Sequence, residues 1–225
     1  MLKYPISTLL YLAKINIKDK IQDALKLHNN IDIRLTITVK DKDGKIIKVH
    51  KQKSHSFVAN FLNILGNQFY NIYNNNNAIY NVTNTSGSEG EMNYAMNMND
   101  SSNDSTYGII IGTGKTAPAP GDYEMESQIT NGTGSGQMQY GSHTFNPSSG
   151  TVNISSSTSS FQISRQFTNN SGSSITVSEV GIIINAPFTN GTVVQVLIVH
   201  DLLSSPITVA NLSVLQITYT FSVTT

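Results

Sequence analysis

The chain has 225 residues, enough for one large domain or two small ones, of which 38% are hydrophobic and only 12% charged. The share missing from both classes is Asn, Ser, Thr and Gly, a composition closer to an extracellular or virion β-protein than to a metabolic enzyme. Cysteine is absent, which excludes a disulfide framework, a thiolate nucleophile and a cysteine metal site.

The net charge is zero, but residues 1–54 hold twelve of the fourteen Lys and Arg and five of the fourteen acids, roughly +7, and the remainder is roughly −7. Lys115 and Arg165 are the basic residues beyond Lys53. A basic segment joined to an acidic body suits two solvated surfaces, contact with the acidic body of the next subunit, or contact with DNA. The N-terminus shows no basic, apolar and small-residue series of a secretory signal, and no apolar run reaches the ~18 residues of a transmembrane helix.

Residues 5–28 carry Ile17, Ile21 and Leu25 at helical spacing, with Lys18, Lys20 and Lys26 on other faces, and predict a helix. From Ile31 to Gln52 the pattern changes to period two. Ile33, Leu35, Ile37 and Val39 alternate with Arg34, Thr36, Thr38 and Lys40, and Asp41 to Gly44 makes a hairpin turn before Lys45 to Lys51 return. Arg34, Lys40, Lys42, Lys45, Lys48, Lys51 and Lys53 form a positive ribbon, a candidate contact for a subunit or a nucleic acid. A two-stranded ribbon can enter a DNA major groove, although such charges are more often the solvent side of a half-buried hairpin.

Phe57, Phe61, Leu65 and Phe69 line one face of a second predicted helix, a candidate interface, with Ser54 or Ser56 as its N-cap. Residues 74–106 read as a loop rich in Asn and Ser, with short strands at Ala78–Val82 and Met92–Met96 inside it. Gly108 to Ile111 is a buried strand. Gly112-Thr113-Gly114-Lys115-Thr116 fails as a phosphate loop, because Ile109 stands where its first glycine belongs and Pro118 and Pro120 follow. Glu124 and Glu126 are two apart, on one face of a predicted strand, and read as edge charges rather than a glycosidase pair. The five histidines have no zinc spacing, and His200 and Asp201, adjacent on a strand, point to opposite faces. Strand patterns then recur at 137–140, 143–145, 152–154, 161–167, 174–184, 192–199, 207–209 and 214–223, divided by clusters of turn residues. Arg165 and Glu179 make a candidate cross-strand pair.

From Tyr107 onward the chain resembles uncharacterised structural proteins of double-stranded DNA viruses, both tailed phages and spindle-shaped archaeal viruses. Four phrases carry the resemblance: Gly112-Thr113-Gly114 with Pro120 to Tyr123, Arg165 to Gly172, Ile175 to Gly181, and His200 to Val209 followed by Leu215 to Tyr219. Lys42 to Lys45 and Ser54 to Phe57 resemble the N-terminal half of the same proteins. The resemblance implies a virion component, such as a tail adaptor, nozzle, vertex or fibre subunit, that acts without a cofactor and has itself and other virion proteins as partners.

The expected architecture is mainly β. It has an N-terminal α+β attachment module over 1–73 (helix, hairpin, helix), a loop over 74–106 and an antiparallel β-sandwich of jelly-roll or Ig-like type over 107–225. The expected function is a non-enzymatic virion subunit forming a homo-oligomeric ring. The alternatives are a receptor- or glycan-binding fibre module, which would expose the Tyr and Asn side chains of residues 70–106, and a DNA-contacting connector.

Overall fold

The computed structural model describes residues 30–54, 57–70, 81–91, 97–98, 101–148, 152–155, 157–188 and 191–224. The helix expected over 5–28 and the strand expected at 92–96 lie outside them. The protein is mainly β, with one helix among the described residues. The strands are β1 (Asn30–Lys40), β2 (Ile46–Lys53), β3 (Asn81–Thr83), β4 (Glu89–Glu91), β5 (Gly108–Gly112), β6 (Gln139–Asn146), β7 (Asn153–Ile154), β8 (Thr158–Thr168), β9 (Ile175–Pro187), β10 (Val193–Val209) and β11 (Val214–Thr224), and the helix is α1 (Ala59–Tyr70). A six-stranded sheet has the order β2-β1-β11-β8-β6, with β7 also paired to β8. A three-stranded sheet has the order β10-β9-β5, and β3 pairs with β4 alone. All pairings between these strands are antiparallel.

Alternation builds the larger sheet. Ile33, Leu35, Ile37 and Val39 of β1 are buried, as are Leu215, Ile217 and Tyr219 of β11. The other face is wet and polar, charged on β1 and β2 and neutral on β11, β8 and β6, as expected where an antiparallel sheet meets water on one side. Thr36, Thr218, Ser164 and Thr144 form one row across four strands. The Ser164 and Thr218 hydroxyls lie 2.8 Å apart within it.

The smaller sheet is buried on both faces, so its strands read as continuous apolar runs. All five residues of β5 are buried, and so is β9 from Val177 to Ile184. On one side it meets the larger sheet: Tyr219 Oη donates to Asp201 Oδ2 at 3.0 Å. On the other it is covered by α1, the β3–β4 turn and residues 113–129. Asn60 Nδ2 of α1 donates to the Leu197 carbonyl at 3.2 Å. The amides of Thr85 and Ile129 donate to the carbonyls of Gln195 and Ile111, both at 2.9 Å. The buried apolar residues of both sheets form one cluster.

The division into an attachment module and a separate body is corrected by these pairings. β1 runs beside β11 in register from Asn30↔Thr224 to Lys40↔Val214, so the hairpin belongs to the same sheet as the C-terminal strands. Its alternating apolar face needed a buried partner, and β11 and the shared core supply it. The turn is held by Asp41, whose Oδ1 accepts the amides of Asp43 and Lys45 at 3.0 and 2.9 Å, with Gly44 at φ +80°. The strands expected at 192–199 and 207–209 are one strand, β10, whose register against β9 shifts between Leu202 and Ile207. Residues 84–88 close the β3–β4 hairpin, with Asn84 Oδ1 accepting the amides of Ser86 and Ser88.

Candidate functional site

Charged residues set inside apolar runs must find partners, because an unpaired buried charge is costly. Glu179 and His200 do so on the outer face of the three-stranded sheet. His200 lies opposite Gly181, which has no side chain, and Glu179 is its diagonal neighbour across the β9–β10 pair. His200 is 3% exposed and Glu179 1%. The imidazole Nε2 is 2.9 Å from Glu179 Oε2, and Nδ1 is 2.7 Å from Asp122 Oδ2.

The same carboxylates gather the covering segment. Glu179 Oε1 accepts the amides of Gly114 at 3.0 Å and Ser127 at 2.8 Å, and Oε2 accepts that of Glu126 at 3.2 Å. Asp122 Oδ2 accepts the Ala119 amide at 2.9 Å. Glu126 is exposed and accepts the amides of Lys115 and Thr116 at 2.5 and 2.6 Å. A Cβ added to Gly112 or Gly114 would lie 2.2 or 2.6 Å from Glu179 Oε1, so these glycines leave room for the carboxylate. The segment that fails as a phosphate loop is thus a cradle for a side chain of this same chain.

Burial alone would raise the Glu179 carboxyl, but the bonds from His200, Ser127 and Gly114 outweigh it and hold its pKa below the ordinary value. Burial alone would lower His200, but Glu179 and Asp122 outweigh it and hold its pKa up. Both shifts favour the charged forms, carboxylate and imidazolium, and each ring nitrogen faces a carboxylate oxygen. With both nitrogens so engaged, the cluster binds 113–127 to the sheet.

Arg165 is a second fastener, 1% exposed on β8. Its Nε donates to the Gly141 carbonyl at 2.8 Å. Nη1 donates to those of Tyr107 and Ile109 at 3.1 and 3.2 Å, and Nη2 to those of Ser101 and Asp104 at 3.2 and 2.6 Å. The guanidinium carbon sits 4.7 Å from the Tyr140 ring centre. This rigid fork ties the strand entering β5 to the larger sheet, and the Tyr140 hydroxyl adds a bond to the Ile129 carbonyl at 2.5 Å. Burial pushes the Tyr140 hydroxyl far above its usual range. Nearby, His143 Nε2 accepts the Ile109 amide at 2.8 Å.

Asp201 faces the other way from His200, as their adjacency on a strand predicts. It accepts the hydroxyls of Ser54 at 2.7 Å and Tyr219 at 3.0 Å. Burial first, and then the Asp201 charge, push Tyr219 well above the usual tyrosine range. Asn169, fully buried, donates to the carbonyls of Ser173 and Val209, both at 2.8 Å, and so closes the turn after β8.

The basic ribbon is brought together only in part. Arg34 and Lys53 both pair with Asp32, at 2.7 and 3.6 Å, and Lys42 pairs with Asp43 at 3.0 Å. The Arg34 bond holds the Asp32 carboxyl below its ordinary pKa. Lys48 Nζ reaches the Pro206 carbonyl at 3.5 Å. Lys40, Lys45 and Lys51 form no ion pair among the described residues. Ser54 is not the helix cap, since its hydroxyl is given to Asp201; the Phe61 amide instead donates to the Val58 carbonyl at 3.0 Å. Phe57 and Phe61 stack at 3.8 Å and pack on the core, Leu65 is half-buried, and the Phe69 side chain lies outside the described residues.

The Arg165–Glu179 pair does not form. β8 and β9 lie in different sheets, and Arg165 stands beside His143 and Ile217 while Glu179 stands beside Gly112 and Leu202. Glu124 and Glu126 lie in a loop, not a strand, because residues 113–129 wrap the sheet edge through Thr113–Ser127 and Ile111–Ile129 bonds. The Glu179–His200–Asp122 cluster was not expected, although a charge inside each apolar run and the glycines at 112, 114 and 181 signalled it.

Among the described residues no group of three or more His, Cys, Asp and Glu is arranged to hold a metal ion, and no helix is long and apolar enough to cross a membrane. Comparison with protein-family models, with curated proteins and with solved structures found no match.

Proposed function

We propose that this chain is a non-enzymatic structural subunit of a virion, of the tail adaptor, nozzle or vertex kind, that assembles with copies of itself into a ring. We read its two larger sheets as a β-sandwich. The observation that carries the self-assembly reading is β2. Among the described residues it has a neighbour on one side only, and Ile46, Ile47 and Val49 are each more than half exposed. An edge strand with exposed apolar side chains offers unpaired backbone groups to another chain. Two β2 strands pairing with each other would set lysines against lysines, which is unfavourable. A head-to-tail contact with the acidic surface of the next copy avoids this, and such contacts form a ring where the rotation between copies closes. Glu89 is exposed on a segment that covers the three-stranded sheet.

The polar groups suited to catalysis are engaged in fastening the fold, in keeping with a structural role. The DNA-connector reading is weakened because β1 is paired along its length and the hairpin is not a free ribbon. Light scattering of the purified chain at low and then high salt tests the proposal. A discrete oligomer that dissociates in salt supports it, since exposed charges are screened. A monomer under both conditions contradicts it. Lys45→Glu with Lys51→Glu should dissociate the oligomer even at low salt.

A further inference from the structure

A cavity of about 470 Å³ opens where the β3–β4 turn, residues 105–106 and the fastened segment 124–130 meet over β9 and β10. That volume falls within the ~300–1,000 Å³ of ligand sites. Met125 and Ile183 are its apolar lining residues, and Thr85, Ser105, Thr106, Gln128, Thr130 and Gln195 are its neutral polar ones. Among the described residues Glu124 is the single charged one lining it. The Glu124 carboxylate, with no cation beside it among the described residues, disfavours an anionic ligand, and one carboxylate is too few for a metal. A neutral sugar offers what this mixed lining complements: carbon atoms for Met125 and Ile183 and hydroxyls for the polar residues.

The walls are already set. Gln128 Nε2 donates to the Ser105 carbonyl at 2.5 Å, the Asn131 amide to Ser105 Oγ at 3.2 Å, and Gln195 Nε2 to Asn185 Oδ1 at 3.2 Å. Glu126 and Ser127, directly after Met125, are held by Glu179. A site whose supporting groups are locked loses little entropy on binding. We infer that this cavity binds a neutral saccharide unit, with Glu124 accepting hydrogen bonds from two of its hydroxyls. The inference does not depend on self-assembly, since every lining residue comes from one chain.

The test is saturation-transfer NMR and calorimetry on the full chain with neutral sugars: glucose, galactose, mannose and the N-acetyl forms of the first two. Binding by at least one is expected. Glu124→Gln should weaken it by about tenfold or more, the loss typical of a hydrogen bond to a charged group. Thr106→Val should weaken it less, and Glu89→Gln, outside the cavity, not at all. Glu124 is exposed, so its replacement leaves the fold intact, which a melting curve confirms. Failure of every sugar to bind, binding unaffected by Glu124→Gln and Thr106→Val, or binding only of cationic amines would each overturn the inference.

Discussion

The two larger sheets share one core but are stabilised by different means. In β1 and β11 the inward side chains are apolar and the outward ones are Thr, Gln, Lys and Arg, so hydrophobic burial and the ladder hydrogen bonds hold them. In β9 and β10 both faces are covered, and Glu179, His200 and Asp201 are buried within the apolar runs. There, polar side chains fix what lies above and below. The difference teaches that a sheet enclosed on two sides has to specify its neighbours, while a half-wet sheet mainly has to specify which face goes in. Apolar contact is non-directional; a carboxylate receiving three amides at set distances is not.

The sharpest break in this comparison comes from Arg165, the charged exception among the inward residues of β8. Arg165→Ala strands five carbonyls and opens a cavity, and should cost roughly 3–5 kcal/mol in urea unfolding. Arg165→Lys should recover little, since one ammonium does not replicate a five-donor fork.

Glu179→Gln removes the charge facing a buried imidazolium and should cost roughly 3 kcal/mol by the same measurement. Asp201→Asn keeps the shape and one acceptor and should cost less, roughly 1–3 kcal/mol.

The pH dependence of melting separates the members of the cluster. Glu179 is held below its ordinary 4.5, so its contribution is whole above that value and lost as pH falls through the lowered one. Glu126, lowered by the amides of Thr116 and Lys115, adds to the same acid limb. His200 is held above its ordinary 6.5, so its contribution is whole below that value and lost as pH rises through the raised one. Fastening is therefore strongest between about 4.5 and 6.5, and His200→Asn should abolish the alkaline loss while leaving an acid one. The smallest effect belongs to the wet face: Thr218→Val should change stability by no more than about 0.5 kcal/mol.

What could be read from the sequence follows the same line. The strands at 31–40, 161–167 and 214–223 were legible because alternation against water writes itself into every second residue. The run at 108–111 was legible as a buried strand and 174–184 as a strand, but nothing in an apolar run says what covers it. The hairpin's place beside β11 was not legible, since period two gives the buried face and not the neighbour. Glu179, His200 and Asp122 are far apart in the chain, and Arg165 looked like a partner for Glu179 because both are charges on strands. Only the division of β8 and β9 between two sheets shows that each is engaged elsewhere.

Amide hydrogen exchange of the wild-type chain and Glu179→Gln, followed residue by residue, tests the fastening most directly. Loss of one fastener should open the covering segment alone, because local stability is not uniform. The account predicts faster exchange at Gly114, Glu126 and Ser127 with the amides of β1 and β11 unchanged. Unaltered protection at those three amides, or an equal loss across both sheets, would contradict it.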